Sequence, residues 1–445
     1  MGRRSHTNHL DLWMNGQHVG VWSRHAARDT LGYSKTWFDA PEGRPLSLSL
    51  PFQPGNLPHQ GDTVRNYFSN LLPDSQPILE RLAQRFKTGT TEAFDLLAEI
   101  GRDCVGALQI VPEGQDPGDP FVIKGVALDD AGVANELAAA STPGTRLGGG
   151  GDGGDFRISI AGAQEKTALL RVGQQWLRPT GATPTTHILK LPLGLVGNQK
   201  LDLRNSVENE WLCAQILAAY GLPVAQCELG NFDGTRALIV ERFDRRWTPG
   251  RDALLRLPQE DMCQATGTSP LIKYEPDGGP GMDRILGLLA SSGQREIDRA
   301  NFFRAQLLFW LLCAPDGHAK NFSIHLGPRG AFSMTPLYDV LSAYPMLGKG
   351  AHQINPLKVR LAMAVRGKNP HWKMRDVLRR HWNESARRNG LGESAETMIA
   401  ELVQKTPTVI ATVGTTLPPK FPAHVAESIF AGMQDAVLRL VRMDE

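Results

Sequence analysis

The stretch CAPDGHAKNFSIHL, residues 313–326, constrains the fold more than any other part of the chain. It follows an apolar run, Phe302 to Cys313, whose composition predicts a buried helix. Pro315 cannot continue that helix, because proline lacks a backbone N–H and its ring clashes with the preceding turn. A polar loop follows, and the alternation of apolar and polar residues over 322–326 then predicts a strand. The helix therefore ends in a short polar loop that leads directly into a sheet.

This pattern predicts that two carboxylates and one amide lie close together in the fold. A turn comes after the strand, and Ala331 to Met334 can run back antiparallel to it. Such a hairpin brings Asn321, which precedes its first strand, close to Asp339, which follows its second, and both close to Asp316. Amide and carboxylate oxygens suit Mg²⁺, which keeps its other positions for water and phosphate, and Asp316 is then left to orient a hydroxyl and accept its proton. An Asp–Asn spacing alone is a common turn pattern, but with the hairpin and a further Asp it predicts phosphoryl transfer.

Lysines in apolar settings are candidates for the phosphate side of such a site. Lys190, in HILKLP, lies on a strongly apolar strand, where a lysine is almost never fully buried unless it is paired. The next helix offers Glu210 as its partner, with Glu208 as the alternative, and a water-facing lysine on an edge strand is the other interpretation. Lys320 lies near the transferred phosphate or is solvated, and we expect His318 to brace the loop.

The composition is that of an ordinary globular protein with two or three domains. The 445 residues are 41% hydrophobic and 21% charged, and the net charge of +2 leaves any attraction to nucleic acid to a local patch. Five widely spaced cysteines without a CxxC pair argue for reduced thiols and against a zinc site or disulfides. No signal peptide begins the sequence, and the run from Ala305 to Pro315 is too short to cross a bilayer. We therefore expect a cytoplasmic protein without a membrane partner.

The predicted elements follow an order: a β-rich N-terminal portion, one helix among strands, then a helical portion. Residues 10–22, with Asn-Gly at their centre, predict a hairpin, and Arg102 to Val111 predicts another strand. Ser206 to Tyr220 predicts a helix, with Ser206 as its N-cap and Gly221 just beyond its end.

The glycine-rich segment at 143–155 indicates a boundary. We interpret it as a flexible linker and not a phosphate-cradling loop, because no GK[ST] motif follows. The predicted units are a β-rich subdomain over 1–145, a nucleotide-binding part over 146–243, and a helical part with the catalytic and metal residues over 244–445.

Two further segments are candidates for nucleotide contacts. Ile160 to Lys166 (IAGAQEK) is small and flexible enough for its backbone N–H groups to approach phosphates, although the Gly-x-Gly-x-x-Gly pattern of eukaryotic kinases is absent. Glu241 and Phe243 end a strand where the two halves join. The backbone there can hydrogen-bond an adenine edge, although a simple linker between lobes would have the same sequence.

With these residues in view, the sequence closely resembles the HipA family, the kinase toxins of bacterial HipBA toxin–antitoxin modules. The resemblance covers nearly the whole chain and implies an α+β, protein-kinase-like fold of two lobes, with a β-rich N-lobe that carries an extra N-terminal subdomain and a helical C-lobe. It is carried by RPLSLSLP, NLLPDS, FDLLAEIGRD, DFRISIAGAQEKTALL, TPTTHILKLP, ERFDRRW, LRLPQEDMCQ, KYEPDGGPG, DGHAKNFS and TPLYDVLSAYP.

The resemblance implies a role for each candidate residue, with ATP and Mg²⁺ as cofactors. Asp316 would be the catalytic base, Asn321 and Asp339 the Mg²⁺ ligands, and Lys190 the ATP lysine. The other implied nucleotide contacts are Ala161, Gly162, Ala163, Gln164, Glu165 and Lys166 in the phosphate loop, Glu241 and Phe243 in the adenine hinge, and His318, Lys320 and Tyr338 near the catalytic loop.

The resemblance also implies an autophosphorylated serine, Ser159. A phosphoserine there would bring nearly two negative charges beside the phosphate loop, repel nucleotide and turn the kinase off. From the pattern alone, Ser159 would be a strand hydroxyl that faces solvent. Pro315 departs from the family pattern by fixing the approach to Asp316, but it removes no chemical group.

The implied partners are those of a toxin. They are a HipB-like helix-turn-helix antitoxin dimer, operator DNA bound through that antitoxin, and glutamyl-tRNA synthetase as the phosphorylated protein, with growth arrest as the outcome. Two other functions stay open: a catalytically silent co-repressor in a DNA-bound complex, and a small-molecule phosphotransferase.

A basic segment, Lys358 to Arg388, contains ten Lys and Arg against two acidic residues. Most such charge runs are solvated helical surfaces, and contact with DNA phosphates is the alternative. Arg387 matches a DNA-contacting position of the family, whereas Gly390 stands at one that is usually basic.

Overall fold

The computed structural model describes residues 7–26, 28–141, 164–197 and 200–443, so the glycine-rich segment at 143–155 lies outside the described residues. The N-terminal part is an antiparallel five-stranded sheet in the order β4-β3-β2-β1-β5, with four helices. Its elements are β1 (His9–Met14), β2 (Gln17–His25), β3 (Arg28–Tyr33), α1 (Lys35–Asp39), β4 (His59–Gln60), α2 (Asp62–Ser69), α3 (Gln76–Phe86), α4 (Ala93–Ile100) and β5 (Leu108–Pro112).

The hairpin predicted over 10–22 is confirmed. Asn15 (φ 45°) and Gly16 (φ 81°) form the positive-φ turn that joins β1 to β2 and matches the twist of the two strands. On the buried side of this sheet Trp22 stacks on Phe68 at a centroid distance of 3.8 Å.

A second, six-stranded sheet follows in the order β12-β13-β9-β7-β8-β6. Lys190 ends β9, which lies between β13 and β7, so the interpretation of an edge-strand lysine is wrong. The elements of this part are β6 (Gly125–Leu128), α5 (Asp130–Ser141), β7 (Lys166–Val172), β8 (Gln175–Pro179), β9 (His187–Lys190), β10 (Gly194–Val196), β11 (Leu201–Leu203), α6 (Ser206–Ala219), β12 (Cys227–Phe232) and β13 (Thr235–Glu241). Because β6 pairs with β8, residues 125–128 belong to this sheet, whereas the unit boundaries at 145 and 243 stay a prediction.

The remaining part is mostly helical and contains the largest apolar core. Its elements are β14 (Arg245–Trp247), β15 (Leu254–Arg256), β16 (Gln259–Asp261), α7 (Met262–Ala265), α8 (Met282–Leu289), α9 (Arg295–Leu311), β17 (Ser323–Leu326), β18 (Phe332–Met334), β19 (Arg360–Arg366), β20 (Pro370–Lys373), α10 (Arg379–Arg388), α11 (Glu396–Thr415) and α12 (Ala423–Arg442). The buried helix predicted before Pro315 is α9, and the predicted hairpin after it is β17 paired antiparallel with β18.

Two local predictions are wrong. Ser206 is not the N-cap of α6: Asn205 takes that position, and the Ser206 hydroxyl accepts a hydrogen bond from the Leu193 N–H at 2.9 Å. The strand predicted from Arg102 begins only at Leu108, because the preceding residues turn inward to place Asp103 in a buried ion cluster.

That cluster joins the N-terminal part to the segment after β13. The Asp103 carboxylate accepts hydrogen bonds from Arg245 at 2.9 Å, Arg256 at 3.2 Å and Arg242 at 3.3 Å. Asp244 in turn binds Arg242 at 2.8 Å. Burial would raise the pKa of Asp103, but the three guanidinium groups outweigh it and hold that pKa well below its usual range.

Loss of this carboxylate should destabilise the fold. Asp103→Asn leaves three buried arginines with one carboxylate fewer, so we expect the free energy of unfolding to fall by about 3–5 kcal/mol. Urea denaturation measures the change. Asp435→Asn, at an exposed position of α12, should shift stability by no more than about 0.5 kcal/mol, and equal effects of the two substitutions would contradict this role of the cluster.

Candidate active site

The loop after α9 is held in a closed shape by its own hydrogen bonds. The side-chain amide of Asn321 donates to the Asp316 carbonyl at 2.8 Å, and the His318 N–H donates to the same carbonyl at 2.8 Å. Gly317 is required here, because a β-carbon at this position would collide with the buried ring of Phe309. The loop therefore fixes Asp316 and Asn321 relative to each other before any ligand is considered.

The β17–β18 hairpin returns the chain to this loop at Asp339. The Thr335 N–H donates to the Ser323 carbonyl at 3.0 Å, which closes the open end of the hairpin. Asp339 itself has φ 61°, in the left-handed region that aspartate tolerates better than most residues and that recurs at functional sites. Asp316, Asn321 and Asp339 all line one cavity between the six-stranded sheet and the helical part.

Lys190 reaches this cavity from the opposite side. Its ammonium donates to Glu210 at 2.6 Å and to Asp339 at 2.7 Å. Burial would lower the pKa of Lys190, but the carboxylates of Asp339 and Glu210 outweigh it and raise that pKa. Glu208, the alternative partner, instead binds Arg236 at 2.5 Å.

The end of the predicted phosphate loop lies beside Lys190. Lys166 stands opposite Lys190 in the pairing of β7 with β9, and burial together with the nearby Lys190 charge lowers its pKa to about 8. Gln164 donates to the Leu191 carbonyl at 2.6 Å, and Glu165 forms an ion pair with Arg81. The other loop positions, Ala161, Gly162 and Ala163, lie with Ser159 outside the described residues.

The predicted adenine hinge borders the same cavity. Glu241 ends β13, and its N–H donates to the Gln226 carbonyl at 2.8 Å. The ring of Phe243 lies 5.7 Å from that of Tyr338, whose hydroxyl donates to the Lys320 carbonyl at 2.9 Å. Aromatic and backbone groups therefore meet at the end of the cavity next to β13.

Lys320 is not solvated, so that alternative is wrong. Its ammonium is buried and donates to the carbonyl and side-chain oxygens of Asn70, both at 2.9 Å, and to Asp261 at 3.0 Å. These three bonds use the donors of the ammonium. The lysine therefore joins the loop after α9 to the N-terminal part of the chain, and its proposed contact with nucleotide stays a prediction.

His318 is buried and packs edge-on against Tyr274, with ring centroids 5.0 Å apart. Burial and the charge of Lys273 lower its pKa to about 3, so the ring is neutral at physiological pH. A neutral ring packed against Tyr274 is the geometry of a side chain that braces the loop.

Sequence reasoning missed the side chains that enter the cavity from remote segments. Asn70 and Asp74, from NLLPDS, and Lys273, from KYEPDGGPG, line the cavity, and Tyr274 of the second stretch contacts Asp316. Both stretches carried the family resemblance without an assigned role. The Lys273 ammonium donates to Asp74 at 2.8 Å, and the Tyr274 hydroxyl donates to Asp316 Oδ1 at 2.5 Å. Polar residues inside such long segments were the available signal.

The basic segment is only partly helical, since it forms β19, β20 and α10, so its description as a helical surface is wrong for the first half. Arg387 is exposed on α10 and paired with Glu384 of the same helix at 2.7 Å. It is not among the residues that line the cavity, and its contact with DNA stays a prediction.

Comparison with solved structures defines the class of the fold. The Shewanella oneidensis HipA in a complex with HipB and its operator DNA superimposes with a TM-score of 0.78 over 98% of each chain, at 23% sequence identity. The two lobes with the extra N-terminal sheet are therefore the α+β, protein-kinase-like fold of the HipA type, as the sequence predicted.

The family follows from sequence. The sequence model of the family described as the HipA-like C-terminal domain matches residues 158–410. The sequence model of the HipA N-terminal domain matches residues 10–111. The chain belongs to the HipA family. The Sinorhizobium fredii protein Y4mE, which carries a provisional kinase name, is 34% identical over 76% of this chain and 78% of its own. The serine/threonine-protein kinase toxin HipA of Shewanella oneidensis is 27% identical over 95% of this chain and 94% of its own.

Among the helices of the described ranges, none combines the length and the apolar character needed to cross a membrane.

The structural role of Lys320, which joins the loop after α9 to the N-terminal part, can be tested by measuring the stability of the protein. Lys320→Met removes the ammonium that neutralises Asp261 and satisfies Asn70, so we expect the free energy of unfolding to fall by about 3 kcal/mol in urea denaturation. Lys368→Met, at an exposed position, should change it by no more than about 0.5 kcal/mol. An unchanged stability in Lys320→Met would contradict the structural role.

Proposed function

We propose that this protein is an ATP- and Mg²⁺-dependent serine/threonine protein kinase that acts as the toxin of a toxin–antitoxin module in the cytoplasm. The observation that carries the proposal is the convergence of Lys190, Asp316, Asn321 and Asp339 on one cavity between two lobes. A relative named as a serine/threonine-protein kinase toxin aligns with 95% of this chain.

The residues of the cavity fit a magnesium nucleotide. Asp339 and Asn321 offer the oxygen ligands that Mg²⁺ prefers. In proteins, Mg²⁺ is usually bound by one or two carboxylates, and water and phosphate oxygens complete its coordination. Two lysines, the buried Lys190 and the half-buried Lys166, offer cations on the opposite wall. The second carboxylate oxygen of Glu210 is buried and has no hydrogen-bond partner among the described residues, so this region still has capacity for polar contacts.

The chain's own residues divide the work of phosphoryl transfer. When bound, a magnesium nucleotide supplies the transferable phosphoryl group and part of the neutralising charge. Glu210 holds Lys190 in place to bind phosphate oxygens, and Asp339 and Asn321 would hold the metal. Asp316, which is half-exposed at the mouth of the cavity, orients the acceptor hydroxyl and accepts its proton.

The proposed substrates are proteins. Glutamyl-tRNA synthetase is the proposed target, with arrest of translation and growth as the consequence. Ser159 is the proposed autophosphorylation site, where a phosphate close to the phosphate loop would repel nucleotide and switch the kinase off.

The proposed partners are a HipB-like helix-turn-helix antitoxin dimer and, through it, operator DNA. The Shewanella HipA was solved together with HipB and its operator DNA, which supports an additional role as co-repressor. Several exposed cations of the basic segment, among them Lys358, Lys368 and Lys373, are available for backbone phosphates. Arg387, which is paired with Glu384 of the same helix, is the proposed DNA contact of α10.

The role of Asp316 predicts a large catalytic loss. Asp316→Asn removes the proton acceptor, so we expect kcat to fall by about 10²–10⁴-fold and growth arrest on expression to disappear. Transfer of radiolabel from ATP to purified glutamyl-tRNA synthetase, and to protein in cell extract, measures the effect.

Asp435→Asn serves as the matched acidic control and should keep full activity. A fully active Asp316→Asn would contradict the proposal. Label that appears only in small metabolites would favour a small-molecule phosphotransferase, and an inactive wild-type protein that still binds its promoter with the antitoxin would favour the silent co-repressor.

The role of Glu210 can be separated from general effects on α6. Glu210→Gln removes a charged hydrogen bond from Lys190, worth about 1.5 kcal/mol, and we expect kcat/KM for ATP to fall about tenfold. Glu208→Gln changes a glutamate of the same helix that binds Arg236, and it should leave kcat/KM within about twofold. Equal losses in both variants would contradict the assignment of Glu210.

A further inference from the structure

The Asp316 carboxylate has a hydrogen-bond donor that the catalytic scheme does not use. Tyr274 donates its hydroxyl hydrogen to Asp316 Oδ1 at 2.5 Å. The Asp316 side chain is 58% exposed, and in the described part of the chain no hydrogen bond reaches its Oδ2. One oxygen of the carboxylate is therefore held, while the other is left for a substrate.

Tyr274 is itself held from several sides. Its carbonyl accepts hydrogen bonds from the N–H groups of Asp277 at 3.1 Å and Gly279 at 2.9 Å. Its ring packs edge-on against the buried ring of His318 at 5.0 Å. The backbone and the ring are therefore both fixed, which leaves the hydroxyl little freedom of position.

The neighbours of Tyr274 anchor this segment to two distant parts of the protein. Lys273 donates to Asp74, from the N-terminal part, at 2.8 Å. Glu275 forms an ion pair with Arg366 of β19 and accepts a hydrogen bond from the Ala364 N–H. A segment tied on both sides suits a rigid support better than a flap that opens for substrate.

We propose that Tyr274 is a positioning residue for Asp316: its hydroxyl holds Oδ1 so that Oδ2 is directed at the acceptor hydroxyl of the protein substrate. This inference rests on the proposed kinase function. A hydrogen-bonded carboxylate loses rotational freedom around its side chain, so the attacking geometry is prepared before the substrate binds. A tyrosine that merely fills space would need only its ring.

Tyr274→Phe tests the hydroxyl alone, because the phenyl ring can still pack on His318. We expect kcat to fall about 10- to 100-fold as Asp316 loses its orientation. The KM for ATP and the thermal unfolding midpoint should stay unchanged, since neither depends on the orientation of Oδ2. Tyr220→Phe is the matched control: it removes a hydroxyl bonded to Thr406 at 2.6 Å, away from the cavity, and should keep kcat within about twofold.

Three outcomes in Tyr274→Phe would overturn the inference. The first is an unchanged kcat, and the second is a higher kcat, which would mean that the tyrosine inhibits Asp316. The third is a parallel loss of ATP affinity and thermal stability, which would mean that the tyrosine has only a structural role. A crystal structure of Tyr274→Phe provides a readout without activity: we expect the Asp316 side chain in a different or mixed rotamer, and an unmoved carboxylate would contradict the inference. If wild-type protein transfers no phosphate, the kinase proposal fails, and the rotamer of Asp316 still decides the role of Tyr274.

Discussion

The buried ammonium of Lys190 is the interaction on which the cleft depends. A lysine at the end of a central strand is stable there only with partners, and its two partners come from different parts of the chain: Glu210 from α6 and Asp339 from the segment after the β17–β18 hairpin. Pairing the Lys190 ammonium with both carboxylates therefore requires α6 to pack on the six-stranded sheet. It also requires the helical part to pack against α6 and the sheet. The same requirement places a carboxylate opposite the lysines, where a magnesium nucleotide would need it.

The N-terminal sheet is part of this arrangement and not an appendage. Its ion cluster at Asp103 fixes the segment after β13 through Arg242, Arg245 and Arg256. The turn that follows α2 contributes Asn70 to Lys320 of the loop after α9 and Asp74 to Lys273. The N-terminal part and this loop are therefore joined by charged contacts that are buried and costly to break.

The predictability of this site follows the range of its contacts. Local patterns of alternating residues, proline and turn residues predict three elements of the site. These are the hairpin, the loop from Asp316 to Asn321 and the strand of Lys190. The contact of Lys320 with Asn70 spans 250 residues and leaves no local signal, and the same holds for Tyr274, 42 residues before Asp316. The wrong strand at 102–107 and the wrong N-cap at Ser206 have one cause: tertiary contacts of Asp103 and of the Ser206 hydroxyl outweigh local propensity.

The most direct test of the proposed site is a crystal structure of the protein with Mg²⁺ and a non-hydrolysable ATP analogue. We expect the phosphates to lie against Lys190, the metal to be bound by Asp339 and Asn321, and the adenine to lie beside Glu241 and Phe243. Density for the analogue at another place, or an empty cleft at saturating concentration, would contradict the proposed site.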